Sequence, residues 1–226
     1  RQSFWNIILI GGSLFVVALA FLIYSRLRNS RKQNNVISIQ KQLVDEKNRE
    51  VMDSINYAKR IQNAMLQSEE RQTESRFDHF ILFKPKDIVS GDFYWIEKKS
   101  DSTFVAAVDC TGHGVPGAFL TLLGTAFMNE IVSHNDKISP AELLNLLRER
   151  IIKELGQGEG GDSKDGMDMS IIKIYNGGKT AEWAGANNPL WIISKRERLD
   201  VVSKQIFDEQ NQLYLHEIKG TKQPVG

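Results

Sequence analysis

The chain has 226 residues, 41% of them hydrophobic, which suffices for a buried core, and its single cysteine excludes a disulfide scaffold and any cysteine-rich zinc module. The net charge of +1 conceals an asymmetry: residues 1–32 hold Arg1, Arg26, Arg28, Arg31 and Lys32 and no acid, leaving 24 basic against 28 acidic groups in the rest. That mildly acidic body lacks the basic face a nucleic-acid binder needs, so no nucleic-acid partner is expected.

Residues 4–24 form a run of 21 without Asp, Glu, Lys or Arg. As a helix rising about 1.5 Å per residue it reaches roughly 30 Å, the thickness of a bilayer core. Trp5 and Tyr24 lie near its two ends, where interfacial aromatics belong. Four basic residues follow within eight positions and only Arg1 precedes, so the positive-inside rule puts the C-terminal side in the cytoplasm. A signal peptide would carry its charges on the other flank and a small-residue cleavage site. The expectation is a single-pass inner-membrane anchor with the body of the chain cytoplasmic. Residues 1–3 then read as an extracytoplasmic remnant, and an N-terminal Arg in place of Met suggests a chain preceded by further sequence.

No Gly or Pro occurs between Gly12 and Pro85, which permits one very long helix. After the apolar run, Ile37, Val44, Val51, Ala58 and Met65 recur every seven residues. The companion seam holds Gln40, Lys47 and Ser54 before Ile61, with Leu43, Met52 and Ile55 widening the stripe. Heptads of this quality predict a weak two-stranded coiled coil over residues 25–74, and with it a homodimer; a lone amphipathic helix lying on the next domain is the alternative.

From residue 75 onward short apolar runs alternate with turn residues. Strands are expected at 80–83, 88–96 and 104–108. A helix opening at Pro116 should bury Phe119, Leu122, Leu123, Ala126, Phe127 and Ile131. A second begins at Ser139-Pro140-Ala141-Glu142, a capping box with Pro in the first turn, buries Leu143, Leu144, Leu147, Ile151 and Leu155, and stops at Gly156. The loop 156–166 holds five glycines and is the expected mobile segment. Strands at 169–175 and 180–183 flank the hairpin signal Asn176-Gly177-Gly178-Lys179, and further strands are expected at 190–193, near Val201-Val202 and at 213–218. Strands, a helix pair and then hairpins indicate an α+β fold with largely antiparallel sheet.

Two segments carry the chemistry. Ser90-Gly91-Asp92-Phe93-Tyr94-Trp95 is expected within one strand, and Asp109-Cys110-Thr111-Gly112-His113-Gly114 follows the next. If those strands are neighbours, Asp92 and Asp109 present two carboxylates at one end of a sheet, a hard-oxygen site for Mg²⁺ or Mn²⁺; otherwise they are ordinary strand-end and turn acids. Gly112-x-Gly114-x-x-Gly117 has the spacing of a dinucleotide fingerprint, but a helix follows it where that fold requires a strand. Ser90-Gly91-Asp92-Phe93 is similar to part of the diguanylate cyclase signature, without its first glycine or the acid after Asp92. A cysteine phosphatase would need an Arg six residues beyond Cys110, where Pro116 stands.

Taken together, Ser-Gly-Asp-Phe-Tyr-Trp at 90–95 and Val-Asp-Cys-Thr-Gly-His-Gly-Val-Pro-Gly-Ala at 108–118 resemble the metal-dependent serine/threonine phosphatases of the protein phosphatase 2C superfamily, in the bacterial branch named after the sporulation phosphatase SpoIIE. Stretches 53–66, 83–89, 165–170 and 185–191 support it, covering most of residues 50–226. The resemblance implies an α-β-β-α sandwich over 75–226 with two Mn²⁺ or Mg²⁺ ions in the cleft between its sheets. It makes Asp92 a ligand of one metal, Asp109 the bridging carboxylate and the Cys110 backbone carbonyl a further ligand, with a metal-held water attacking phosphorus. It places Asp168 on the substrate side or behind the ligands, offers His113 as proton donor to the leaving oxygen, and offers Lys84 and Lys86 as phosphate contacts. It also implies a phosphorylated protein partner, such as a small anti-sigma-factor antagonist domain. The family's remaining metal aspartates lie after the Lys-Gln-Pro-Val-Gly stretch with which this chain stops, so its phosphatase domain is expected to be C-terminally incomplete. The alternative to an enzyme is a catalytically incomplete phosphatase fold serving as a dimeric scaffold.

Overall fold

The computed structural model describes residues 2–66, 77–157, 165–175, 178–197 and 202–226. The chain divides into two units, Arg1–Ser54 and Ile55–Gly226. Helix α1 runs without interruption over Gln2–Leu66, as a stretch free of helix breakers after Gly12 allows. Within the first unit, large apolar side chains lie open: Leu14, Phe15, Val17, Phe21 and Leu22 are exposed, as are Ile37, Val44 and Val51 of the heptad stripe. The N-terminal part is long and apolar enough to cross a membrane.

The second unit has a mixed α+β fold with two antiparallel sheets. In the first sheet β1 (Phe93–Lys98), β2 (Ser102–Cys110), β3 (Met167–Tyr175) and β4 (Thr180–Ala186) lie in that order. Helix α2 (Gly114–His134) packs on β1 and β2, and helix α3 (Pro140–Glu154) on β3 and β4. The strands alternate, so Phe93, Trp95, Phe104, Ala106, Val108, Met167, Met169 and Ile171 face the helices and are buried with Leu120, Met128, Leu143, Leu147 and Ile151. Each such large apolar side chain contributes about 1.5–3 kcal/mol by leaving water. The second sheet is small, in the order β5 (Leu190–Ser194), β7 (Leu213–Ile218), β6 (Lys204–Asp208).

Several elements stand where the sequence puts them. Ser139 Oγ accepts from the Glu142 backbone N–H and Glu142 Oε2 accepts from the Ser139 N–H, closing the capping box on α3. The predicted face of α3 is buried at Leu143, Leu144, Leu147 and Ile151. The hairpin of β3 and β4 pairs Tyr175 with Thr180, although Asn176 and Gly177 of its turn lie outside the described residues. Residues 158–164 of the glycine-rich loop, Val201 and the end of the expected coil at 67–74 lie outside them too.

Others are corrected. Residues 80–83 are not a strand; Phe80 and Leu82 point into solvent, and among the described residues no strand pairs with this segment. The first strand begins at Phe93 rather than at 88, so Ser90, Gly91 and Asp92 precede it, while β2 extends to include Asp109 and Cys110. The strand expected near Val201-Val202 lies at Lys204–Asp208, where it pairs with β7 from Lys204↔Glu217 to Asp208↔Leu213. Helix α2 starts at Gly114 and turns a different face inward: Gly117, Leu120, Thr121, Gly124, Met128 and Val132 are buried, whereas Phe119 is 63% exposed. Small and hydroxyl side chains on that face let the helix backbone approach the sheet, and a Cβ on Gly124 would lie 2.8 Å from Met167 Cε and 3.1 Å from Phe93 Cζ.

Candidate active site

The antiparallel pairing of β1 with β2 fixes the geometry. Phe93 pairs with Val108, so the next residue on each strand brings Asp92 opposite Asp109. On the other side of β2, Asp109 pairs directly with Asp168 of β3. Three carboxylates thus stand at one end of three adjacent strands, on the face of the sheet turned away from the helices. Asp92 and Asp109 share a hydrogen bond. Desolvation first, and then the hydrogen bond and charge of Asp92, hold the Asp109 carboxyl above the ordinary aspartate range. Among the described residues no group of three or more His, Cys, Asp or Glu side chains is close enough to hold a metal ion, so Asp168 does not join the pair at ligating distance.

The backbone around the pair is drawn tight by glycines. A Cβ on Gly91 would lie 2.6 Å from the Gly112 carbonyl oxygen and 3.5 Å from that of Cys110. A Cβ on Gly117 would lie 2.8 Å from Gly91 Cα and from the Gly112 oxygen. The turn itself needs left-handed backbone at Gly112 (φ +84°) and Gly114 (φ +64°). Here the glycines of the two motifs serve one purpose, to bring the Cys110 and Gly112 carbonyls against the residue preceding Asp92. The turn is tied down by Thr111, whose N–H donates to Gly166 O at 2.8 Å and whose Oγ1 accepts from the Gly166 N–H at 3.0 Å. That extends the β2–β3 ladder past Cys110 and holds Asp109 and Asp168 in register.

Side chains from elsewhere in the second unit complete the support. Gln62, 3% exposed near the end of α1, donates from Nε2 to Ser90 O at 2.6 Å and accepts from the Ser90 N–H at 3.0 Å. Its amide takes the place of a neighbouring strand for the segment leading into Asp92. Thr121 Oγ1, buried on α2, lies 2.9 Å from both Ser90 O and Gly91 O. His113 meets Asp87, with Nδ1 2.7 Å from Oδ2. Asp168 Oδ1 accepts from Asn187 Nδ2 at 2.7 Å, and its backbone oxygen from Asn188 Nδ2 at 3.1 Å.

Of the residues singled out from the sequence, Asp92 and Asp109 are brought together, and the Cys110 carbonyl and Asp168 flank them. Cys110 itself turns its thiol into the core; burial chiefly, and the charges of Asp109 and Asp92, push it up to about 12 against an opposing hydrogen bond with Thr121. A thiol so hard to ionise is no nucleophile at neutral pH. Lys84 and Lys86 are exposed, and among the described residues neither bonds to Asp92 or Asp109. Gln62, Thr121, Asp87 and Asn187 were not foreseen. The signal available for Thr121 was a hydroxyl between Leu120 and Leu122 in an otherwise apolar helix; Gln62 likewise interrupts the run Ile61 to Met65.

Comparisons with known proteins bear on the family and the fold. No curated protein matches the chain. Among solved structures, the SiaA-PP2C domain of Pseudomonas aeruginosa superposes with a TM-score of 0.63 at 27% identity, covering 79% of this chain and 64% of that one. A Stage II sporulation E family protein from Thermanaerovibrio acidaminovorans is 19% identical, with a TM-score of 0.36 over 44% of this chain and 46% of its own, an overlap too slight to bear on the fold. The family model described as Stage II sporulation protein E (SpoIIE) matches residues 99–215, more than half of the chain, from the loop before β2 into β7. The chain therefore belongs to the SpoIIE family and carries a phosphatase domain of the protein phosphatase 2C type.

Proposed function

We propose that this chain is part of a membrane-anchored signalling phosphatase that removes phosphate from serine or threonine of a partner protein. The observation that carries this is the pair Asp92 and Asp109, held side by side at the ends of adjacent strands, with the Cys110 and Gly112 carbonyls packed against the residue preceding Asp92. Two carboxylates brought side by side suit a hard divalent cation, which would relieve their repulsion, and carbonyl oxygens are its natural companions. The residues present therefore fit Mn²⁺ or Mg²⁺, with Asp92, Asp109 and the Cys110 carbonyl as the groups that would hold it. A pair of such ions would supply a water of lowered pKa and charge neutralisation at phosphorus. For its part the chain positions these oxygens, keeps Asp168 beside them, and offers His113, oriented by Asp87, as a proton donor at the leaving oxygen.

On this reading the domain limits follow the sequence: a membrane helix at 4–24, a coiled-coil linker at 25–74 that makes the protein a homodimer, and a cytoplasmic domain over 75–226 with the sandwich architecture of its family. The uncovered heptad stripe supports the coil, and the uncovered apolar run supports the anchor. The partner is a phosphoprotein, with a small anti-sigma-factor antagonist domain as the class to test first. One observation favours a second reading, a catalytically incomplete dimeric scaffold: among the described residues no three ligating side chains converge.

The deciding experiment is hydrolysis of p-nitrophenyl phosphate and of a phosphoserine peptide by the intact protein. Activity should require added Mn²⁺ or Mg²⁺, and Asp109→Asn should lower it by at least about 100-fold, since such sites depend on charge and position. Activity without metal, or activity that survives Asp109→Asn, rejects the phosphatase mechanism; no activity and no Mn²⁺ binding supports the scaffold.

A further inference from the structure

Asp168 stands at the same strand end as Asp92 and Asp109, yet the proposed metal ligands do not explain its setting. It pairs with Asp109 across β2 and β3, so their side chains rise from the same face of the sheet. Yet it is gripped from the opposite direction. Asn187 Nδ2 lies 2.7 Å from Asp168 Oδ1 and Asn188 Nδ2 lies 3.1 Å from its backbone oxygen, so one short segment after β4 holds both ends of the residue. The segment is itself fixed: the Asn187 N–H donates to Thr221 O and the Asn188 N–H to Ala186 O, at 2.8 and 2.7 Å. Asn187 adopts a left-handed backbone, φ 59°, a conformation that costs most non-glycine residues free energy and that Asn tolerates best. Glycine would suit that backbone better, but it has no amide to offer Asp168.

We infer that Asn187 is a positioning residue: it occupies Oδ1 of Asp168 and thereby presents Oδ2 of Asp168 toward the strand end where Asp109 stands. This rests on the phosphatase reading for its consequence, because the presented oxygen acts by holding a water or the phosphate beside the carboxylate pair. A carboxylate with one oxygen saturated by a fixed donor has one remaining way to point, so Asn187 sets the aim of Asp168 without touching substrate. Asn188 fixes the main chain of the same residue, which keeps the strand from shifting under the load.

The test is a double-mutant cycle in the intact protein, with Asn187→Gly, Asp168→Asn and the pair of substitutions together. Glycine keeps the left-handed backbone and removes only the amide, so the melting temperature should hold, and Asn187→Ala serves as the strained control that lowers it. Asn187→Gly is expected to reduce kcat about tenfold with KM for a phosphoserine peptide within twofold, and to add nothing once Asp168 is Asn. Mn²⁺ affinity by calorimetry supplies a second readout with the same expected non-additivity. Multiplicative effects, an unchanged kcat in Asn187→Gly, or loss explained by a lowered melting temperature in the glycine variant would each overturn the assignment. If the wild-type protein binds Mn²⁺ but hydrolyses nothing, the phosphatase reading fails while the cycle in Mn²⁺ affinity still decides the role of Asn187. A wild-type protein that binds no Mn²⁺ overturns both.

Discussion

Lys173 shows how a single residue can oppose the pattern of its strand. It lies on β3 among Met167, Met169 and Ile171, opposite Phe104, on the face that meets the helices, and is 2% exposed. Its ammonium is not left bare. Nζ donates to Asp136 O at 3.0 Å and Ile138 O at 2.9 Å, and lies 4.7 Å from the Phe104 ring and 5.1 Å from that of Tyr175. The loop between α2 and α3 is thereby fastened to the sheet. Burial lowers its pKa from the ordinary 10.5, against the charges of Glu182, Asp136 and Glu142. The unfolded chain then holds this proton more tightly than the folded one, so unfolding takes up protons between the lowered value and 10.5. Stability contributed by Lys173 therefore rises with pH across that alkaline window. Lys173→Met should cost about 1–3 kcal/mol at neutral pH, since two buried carbonyls lose their donor, or about 2–4 °C in melting temperature per kcal/mol for a domain of this size. The gap between wild type and variant should widen toward pH 10, with Tyr175 and the acids common to both. A gap that stays constant or narrows would show that the lysine is not held below its ordinary value.

At the scale of elements, helix α2 separates apolarity from burial. The sequence favours the stripe through Phe119, yet the inward ridge is Leu120, Gly124, Met128 and Val132 with Thr121 and Thr125 beside it. Leu120→Ala should lose about 2–5 kcal/mol through its cavity, whereas Phe119→Ser should stay within about 0.5 kcal/mol; urea unfolding of the two variants checks the assignment, and the reverse order would restore the original stripe. The same contrast explains what was legible. Helix α3 announces itself locally, through Ser139, Pro140 and Glu142 and a regular leucine face. β7 and the β3–β4 hairpin do so through alternation and turn residues. The segment at 80–83 has strand composition, but a strand exists only where a partner accepts its hydrogen bonds, and β6 sits where β7 can pair with it rather than where the valines are. Within the site, Asp92 and Asp109 were legible because strand ends and glycines flank them. Asn187, Asp87 and Gln62 were not, because each acts across 19, 26 or 28 residues on a partner that only the fold brings near.

For the molecule as a whole, one continuous helix carries both the membrane-length apolar run and the residue that grips the segment leading into Asp92. Gln62 holds both polar groups of the Ser90 backbone, two residues before Asp92, and α1 is unbroken from Gln2 to Leu66. We propose that a change of pairing in the coil is passed along this helix to Gln62. The stripe through Ile37, Val44 and Val51 is exposed and apolar, but its companion positions Gln40, Lys47 and Ser54 are polar, and Lys47 turns to Glu50 at 2.7 Å within its own helix. Such a seam stabilises two near-equal pairings poorly rather than one well, which is the condition for a two-state element. Beyond Ser54 the a-type positions Ala58 and Met65 are half-buried within the second unit, so they are not free to continue the coil as the heptad count suggests. Replacing Gln40, Lys47 and Ser54 together by Ile completes the seam in the part that remains free. The triple variant should dimerise more tightly by sedimentation and fix phosphatase activity at one level, high or low, that no longer responds to detergent or lipid surroundings. Adding Gln62→Ala should release that fixed level without weakening the dimer, because it severs the grip on Ser90 and leaves the coil untouched. If the triple variant leaves both dimerisation and activity unchanged, the helix is only a tether; if it dimerises tightly and activity still varies, coil pairing does not set the state of the site.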